Sequence, residues 1–235
     1  MKNAKAVLLF SGGQDSTTCL AWSLQRFDEV VTIGFDYGQS HAVELECRAN
    51  VLAAMNPGGE DYVLKLPILN ELSETALTRD MEIKMLESGL PSTFVPGRNI
   101  MFLTVAAMLA YRMGMCNLVT GVCETDFSGY PDCRDLFVKS MSTSLSAGMD
   151  TAINIHTPLM FITKAETWQL AYEIGGQDLV NLIIEETHTC YRGKRDVRHE
   201  WGYGCGTCPA CELRRAGYET WMSRPGAKAH SNPAA

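Results

Sequence analysis

Lys5-Ala6-Val7-Leu8-Leu9-Phe10 runs directly into Ser11-Gly12-Gly13-Gln14-Asp15-Ser16, and the fold follows from that junction. An unbroken apolar run suits a strand that meets helices on both of its faces. Two glycines then turn the chain. From Asp15 to Phe27 the apolar residues Leu20, Leu24 and Phe27 recur at helical spacing. Strand, glycine turn and helix in that order make a cradle for an anion. The glycines let backbone N–H groups approach closely, and the helix start offers unpaired N–H groups and a favourable dipole. Ser11 and Ser16 add hydroxyl donors. Asp15 would repel a bare phosphate, so its expected role is to face Mg²⁺ or to cap the loop. No Gly-Lys-Ser/Thr follows, which excludes a Walker A loop, and the dinucleotide pattern G-x-G-x-x-G is missing as well.

The alternation continues outward from this unit. Apolar, β-branched runs predict strands at Val30–Phe35, Tyr62–Leu66, Asn117–Val122 and Ile153–Ile155. Helical spacing predicts helices over His41–Met55, Arg98–Tyr111 and Leu136–Leu145, the last stopped by Gly148. A further helix is expected from Thr163 to Ile174, with Glu166 in the capping-box position. Residues 67–97 carry Pro67, Pro91 and Pro96 and read as a long irregular excursion. Strands alternating with helices predict an α/β fold, a parallel sheet of about five strands with flanking helices. Such sheets bind ligands beyond the carboxyl ends of their strands, where the strand order switches direction. If the first and fourth strands are neighbours, loops 11–16 and 123–134 face each other. No internal repeat is present.

The 235 residues are 46% hydrophobic and 20% charged, ordinary usage for a globular chain. A net charge of −7 argues against a chain-wide grip on nucleic acid. No apolar run approaches the ~18–20 residues of a membrane span. The run Ala6–Phe10 is too short for a signal peptide, so a cytoplasmic location is expected. In that setting the nine cysteines are expected as thiols or metal ligands rather than disulfides.

Four of them, Cys190, Cys205, Cys208 and Cys211, have the spacing C-x14-C-x2-C-x2-C. Four thiolates suit tetrahedral Zn²⁺ and leave no open position for water, which makes the expected site structural, with one zinc per chain. His188 and His199 lie near enough in sequence to compete as ligands, but the four cysteines are preferred. Six basic residues crowd the same region: Arg192, Lys194, Arg195, Arg198, Arg214 and Arg215. They form either a solvated face or a cover for bound phosphates. The chain therefore divides into an α/β domain over 1–186, a zinc knuckle over 187–222 and a tail over 223–235 expected to be disordered.

Ser-Gly-Gly-x-Asp-Ser between strand and helix resembles the pyrophosphate loop of the ATP-pyrophosphatase superfamily. Asp36-Tyr37-Gly38-Gln39, Val95-Pro96-Gly97-Arg98-Asn99 and the stretch from Gly121 through Asp126-Phe127-Ser128-Gly129-Tyr130-Pro131-Asp132-Cys133-Arg134 narrow the match. Together they resemble the 7-cyano-7-deazaguanine synthase family of queuosine precursor biosynthesis, from about residue 6 to about 218. The sequence departs from that family at Ser40, where arginine is usual, and in a longer Cys190–Cys205 gap. The resemblance implies a fold like the adenine nucleotide alpha hydrolases and a homodimer. It also implies a carbon–nitrogen ligase that joins 7-carboxy-7-deazaguanine and ammonia at the expense of ATP, through an adenylated carboxylate and an amide.

On that reading Phe10, Ser11, Gly12, Gly13, Gln14, Asp15, Ser16, Thr17 and Thr18 bind ATP with its Mg²⁺, and Asp15, Ser16 and Arg98 are catalytic. A guanine-like edge presents donors, so the substrate loop must present acceptors, and Asp126 and Asp132 are the carboxylates available. Phe127 or Tyr130 would stack on the ring. Arg134 would pair with the substrate carboxylate, and Arg98 would do the same or bind the phosphates. Cys123 and Cys133 are expected as packed thiols. No glutaminase motif is read in these residues, so free ammonia is the expected nitrogen source. The alternatives are a tRNA-thiolating enzyme with the same loop and a non-catalytic nucleotide- or zinc-binding adaptor.

Overall fold

Ala6, Val7 and Leu8 have no exposed surface in the computed structural model, which describes residues 4–39, 43–79, 81–125 and 129–224. They belong to β1 (Lys5–Leu9), the middle strand of a five-stranded parallel sheet. The other strands are β2 (Glu29–Asp36), β3 (Asp61–Lys65), β4 (Asn117–Val119) and β5 (Asn154–His156), in the order β3-β2-β1-β4-β5. β1 pairs with β2 from Lys5↔Glu29 to Leu9↔Ile33, and with β4 from Ala6↔Asn117 to Leu8↔Val119. The first and fourth strands are therefore neighbours, and the order reverses at β1.

Successive side chains of a strand face opposite ways, and the core divides accordingly. Val7, Val31, Ile33 and Leu118 pack with Leu103, Ala106 and Ala107 of α4 (Arg98–Arg112) and Leu145 of α5 (Asp135–Met149). Ala6, Leu8, Phe10 and Val30 pack with Cys19 and Leu20 of α1 (Gln14–Leu24) and Val51 of α2 (Val43–Met55). The edge strand β3 is mostly exposed. It is tied in by Arg48 of α2, which is buried and bonds the Asp61 carboxylate and the Phe10 carbonyl. A charge buried to this extent needs such a partner. The irregular excursion contains one short helix, α3 (Ile68–Glu71), and a bridge between Met85 and Pro91.

Two expected elements change length. The fourth strand is read to Val122 but its ladder ends at Val119. Thr120 still donates to the His156 carbonyl (3.0 Å), and the chain then leaves the sheet. The helix read to Ile174 continues as α6 (Lys164–Glu186). It breaks at Gly176, where φ is 63°, and then regrows, because Leu179, Val180, Ile183 and Ile184 share a core with Trp168 and Trp221. Its N-terminus carries the expected capping box, with Thr163 and Glu166 exchanging hydrogen bonds.

The cysteine region forms a two-stranded antiparallel ribbon, β6 (Arg198–His199) with β7 (Gly202–Tyr203), followed by α7 (Pro209–Met222). Trp221 of α7 lies in the α6 core, stacked 6.1 Å from Trp168, so the knuckle shares packing with the α/β layer. Most of the tail, from residue 225 on, lies outside the described residues. No described helix is long and apolar enough to cross a membrane.

Candidate active site

The loop after β1 is organised around one hydroxyl. Ser16 Oγ receives the N–H groups of Ser11 and Gly12 (both 3.3 Å) and donates to the Gly13 carbonyl (3.1 Å). Gly12 has φ 92°, and a Cβ there would lie 2.7 Å from the Glu44 carbonyl and 2.9 Å from the Arg48 nitrogen. Only glycine meets both demands. Behind Gly13 stands the knuckle, where His188 N–H donates to the Gly12 carbonyl (3.3 Å).

A cavity of about 370 Å³ opens above this loop. Phe10, Ser11, Gln14, Asp15 and Ser16 line it, and Gln14 Nε2 is buried with no partner among the described residues. Thr17 and Thr18 are buried in α1 and do not line it. The opposite wall comes from the loop after β4. A Cβ on Gly121 would lie 3.3 Å from the Asp15 backbone, so the two loops touch as the strand order requires. Cys190, Tyr191 and Arg214 close the cavity from the knuckle side.

Arg98, the first residue of α4, lies on the cavity wall with its guanidinium 5.6 Å from the Tyr130 ring centroid. Burial works against its charge, but Tyr37, Tyr130, Asp132 and Cys133 hold its pKa above the usual value. Tyr130 is buried, bonded to Thr93 Oγ1 (2.6 Å) and stacked on Phe94. Asp132 is buried but does not line the cavity. Its Oδ2 accepts from Asn99 N–H in the first turn of α4 (3.2 Å), and Oδ1 has no partner among the described residues. It thus satisfies, from outside the helix, one of the free N–H groups in the first turn of α4 and supports the charge on Arg98. Arg134 is exposed at the N-cap of α5 and does not line the cavity. Asp126, Phe127 and Ser40 lie outside the described residues.

Two cavity residues carry no signal in the sequence reading. Lys164 reaches from α6 to bind both Asp15 oxygens (2.8 and 2.7 Å). Glu44, in the first turn of α2, has its carboxyl pushed up to about 7 by burial, against the pull of Arg98. Both lie in stretches that read as ordinary polar helix starts. Cys133 also lines the cavity, and burial with the nearby Asp132 pushes its thiol up to about 12. Cys123 is buried and donates to the Ile162 carbonyl (3.2 Å).

The Sγ atoms of Cys190, Cys205, Cys208 and Cys211 lie within 4.8 Å of one another. Zn–S bonds of about 2.3 Å in a tetrahedron put sulfurs about 3.8 Å apart, so a small contraction fits this set to zinc. His199 is stacked on Trp201 and bonded to the Gly204 carbonyl (3.0 Å), and His188 bonds the Cys190 carbonyl (3.2 Å), so neither joins the cluster. The basic residues divide. Arg214 is buried and donates to the carbonyls of Trp201 and Ile183 (2.8 and 2.9 Å). Arg198 pairs with Glu185, and Arg195 bonds the carbonyls of Thr187 and Glu185.

The family described as Queuosine biosynthesis protein QueC matches residues 5–222. A 7-cyano-7-deazaguanine synthase of Nitratidesulfovibrio vulgaris (strain DP4) is 59% identical over 229 residues, covering 94% of this chain and 95% of that protein. One from Azorhizobium caulinodans is 60% identical over 221 residues, covering 91% of this chain and 92% of that protein. Among solved structures, a 4-thiouridine synthetase–RNA complex with bound ATP is similar in fold (TM-score 0.50, 20% identity, 94% of this chain and 54% of that one). The loop after β1, the facing loop after β4 and a likeness that runs through the cysteine cluster all lie inside the matched span, and the chain belongs to the QueC family of queuosine biosynthesis proteins.

Proposed function

We propose that this chain is a cytoplasmic carbon–nitrogen ligase that converts 7-carboxy-7-deazaguanine, ammonia and ATP into 7-cyano-7-deazaguanine. The observation that carries this reading is one cavity shared by a phosphate-type loop and the Arg98–Tyr130 pair, in a chain about 59% identical to synthases of that name.

The chemistry suits the residues. A carboxylate oxygen is a poor leaving group until it is esterified. Attack by the substrate carboxylate on the α-phosphorus of ATP breaks the bond to pyrophosphate and leaves an acyl adenylate. Ammonia then displaces AMP and gives an amide. A second ATP activates the amide oxygen, whose loss leaves the nitrile. Arg98, half-buried and firmly charged, is suited to pair with the incoming carboxylate. The N–H groups of Ser11 and Gly12, now turned to Ser16 Oγ, are suited to receive the leaving pyrophosphate, with Lys164 beside them as a cation. Mg²⁺ would travel with ATP and add charge stabilisation, and Asp15 is the loop carboxylate that would hold it. Tyr130 would bound the ring, with Asp126, Phe127, Asp132 and Arg134 completing the substrate loop. Zinc in the four-cysteine cluster would be structural, and two copies would associate as a homodimer.

Thiol chemistry is poorly served here. The Cys133 thiol is held neutral far above physiological pH, whereas a sulfur-transferring cysteine needs thiolate character. Pyrophosphate release dependent on the deazaguanine acid, with AMP and the nitrile identified by mass spectrometry, is the expected result. Absence of that dependence would reject the reading.

A further inference from the structure

Two carboxylates are found among the described residues that line the cavity, Asp15 and Glu44. Asp15 is engaged by Lys164 through both oxygens. Glu44 makes no side-chain hydrogen bond among the described residues, and the charge that acts on it is Arg98 of α4. Its position is fixed by packing. The Glu44 carbonyl occupies the space a side chain on Gly12 would need, so the first turn of α2 is locked against the phosphate-type loop. Glu44 therefore stands between the glycine turn suited to pyrophosphate and the arginine suited to the substrate carboxylate.

We propose that Glu44 binds the incoming ammonium ion and takes the proton that converts it to ammonia in the amination step; this rests on the ligase reading above. Ammonium has no lone pair and cannot attack an acyl carbon. Among the described residues the cavity's other charges are Asp15, already engaged by Lys164, and the cations Arg98, Lys164 and Arg214, so Glu44 is the cavity carboxylate there whose oxygens no side-chain hydrogen bond takes up, and a carboxylate attracts a small cation. In the step, an N–H bond of ammonium breaks and its proton goes to a Glu44 oxygen. The lone pair so released forms the C–N bond, the C–O bond to AMP breaks, and AMP leaves with that electron pair. The nitrogen then passes its surplus proton to the departing phosphate, and Glu44 returns its own proton to water before the next turnover.

The electrostatics agree with this role. A carboxyl raised to about 7 is a stronger base than an ordinary glutamate, yet it is still substantially ionised at neutral pH. The titratable and charged groups that face it are Arg98 from α4, Tyr37 from the segment after β2, and Cys47 one turn along α2.

Glu44→Gln tests the assignment. Acid- and ATP-dependent pyrophosphate release should stay within ~3-fold of wild type, because adenylation makes no use of the base. Amide formation from ammonium at pH 7 should fall ~100-fold, the usual size of a lost general base. The deficit should shrink as pH rises and free ammonia accumulates. Hydroxylamine, a nucleophile already neutral at pH 7, should give hydroxamate at near the wild-type rate. If Glu44→Gln does not fold, Glu44→Asp carries the same comparison between ammonium and hydroxylamine. Equal loss with both nucleophiles overturns the proposal, as does unchanged amide formation. A raised KM for the acid with unaltered ammonium kinetics also overturns it, since Glu44 would then read the ring edge. A wild-type chain that releases no pyrophosphate with this acid overturns the ligase reading itself, before any variant is made.

Discussion

Asp15 and Lys164 are 149 positions apart in the chain, yet Lys164 Nζ lies 2.8 and 2.7 Å from the two Asp15 oxygens. The pair joins the loop after β1 to the first turn of α6, which itself is fixed by the Thr163–Glu166 capping box. Lys164 is nine-tenths buried and Asp15 about two-thirds. A positive charge is thus held at the edge of the glycine loop after β1 by a carboxylate that is itself part of the loop.

Removing either partner should separate binding from turnover. Asp15→Asn should still bind ATP by calorimetry but lose ~100–1,000-fold in pyrophosphate release, the typical cost of one electrostatic contact at a reacting centre. Lys164→Met should lose turnover to a similar degree. The double variant should be less impaired than the product of the single losses, because the two residues act as a pair. Near-normal rates in Asp15→Asn would remove that residue from the mechanism.

Zinc should be found at one equivalent per chain by elemental analysis. Cys208→Ser should lose the metal and lower Tm by ~10 °C or more, since structural zinc contributes folding free energy. ATP affinity should fall with it, because the segment that carries Cys190 also places His188 against the Gly12 carbonyl. A metal-free chain of full thermal stability would contradict the site.

Gly12→Ala should damage the loop more than its small volume implies. The positive φ costs about 1–2 kcal/mol for an L-residue, and the new methyl would press on two backbone atoms of α2 at under 3 Å. The expected outcome is a clear drop in Tm together with loss of ATP binding. A variant that keeps both would show that α2 can recede from the loop.

Asp132→Ala should first act on α4. Loss of the acceptor for an N-terminal helix N–H costs ~0.5–2 kcal/mol, read as a fall in Tm. Arg98 also loses a charge partner, so the KM for the deazaguanine acid should rise. The analogue without the 2-amino group separates this from direct recognition. Unchanged discrimination between the two acids would assign Asp132 to capping, and a narrowed gap would assign it to the ring edge.

Cys133 should be inert. Its thiol is raised from 9.0 to about 12, so it stays neutral at pH 7–8 and should resist iodoacetamide, and Cys133→Ala should keep most activity. The linkage has a definite sign. Between about pH 9 and 12 the unfolded chain releases a proton that the folded chain retains, so this group lowers stability as pH rises through that window. Rapid alkylation of Cys133 at pH 7.5 with loss of activity would contradict it.

Local pattern alone determined the sheet, the glycine loop after β1 and the four-cysteine cluster. The apolar run to Phe10, the paired glycines and the hydroxyls of Ser11 and Ser16 act over a few residues, and so does the tight triplet Cys205, Cys208 and Cys211. Their physics is short-range and can be read along the chain. Tertiary structure decided what enters the cavity. Lys164 and Glu44 look like any charged residue at a helix start until strand order brings α6 and α2 to the same loop. Asp132 reads along the chain as an acceptor for a ligand, and only folding shows that its Oδ2 also takes the Asn99 N–H in the first turn of α4. The regrowth of α6 beyond Gly176 likewise depends on Trp168 and Trp221, which meet only when α7 docks. Pair energies and burial depend on distance in space, and sequence separation carries no record of it.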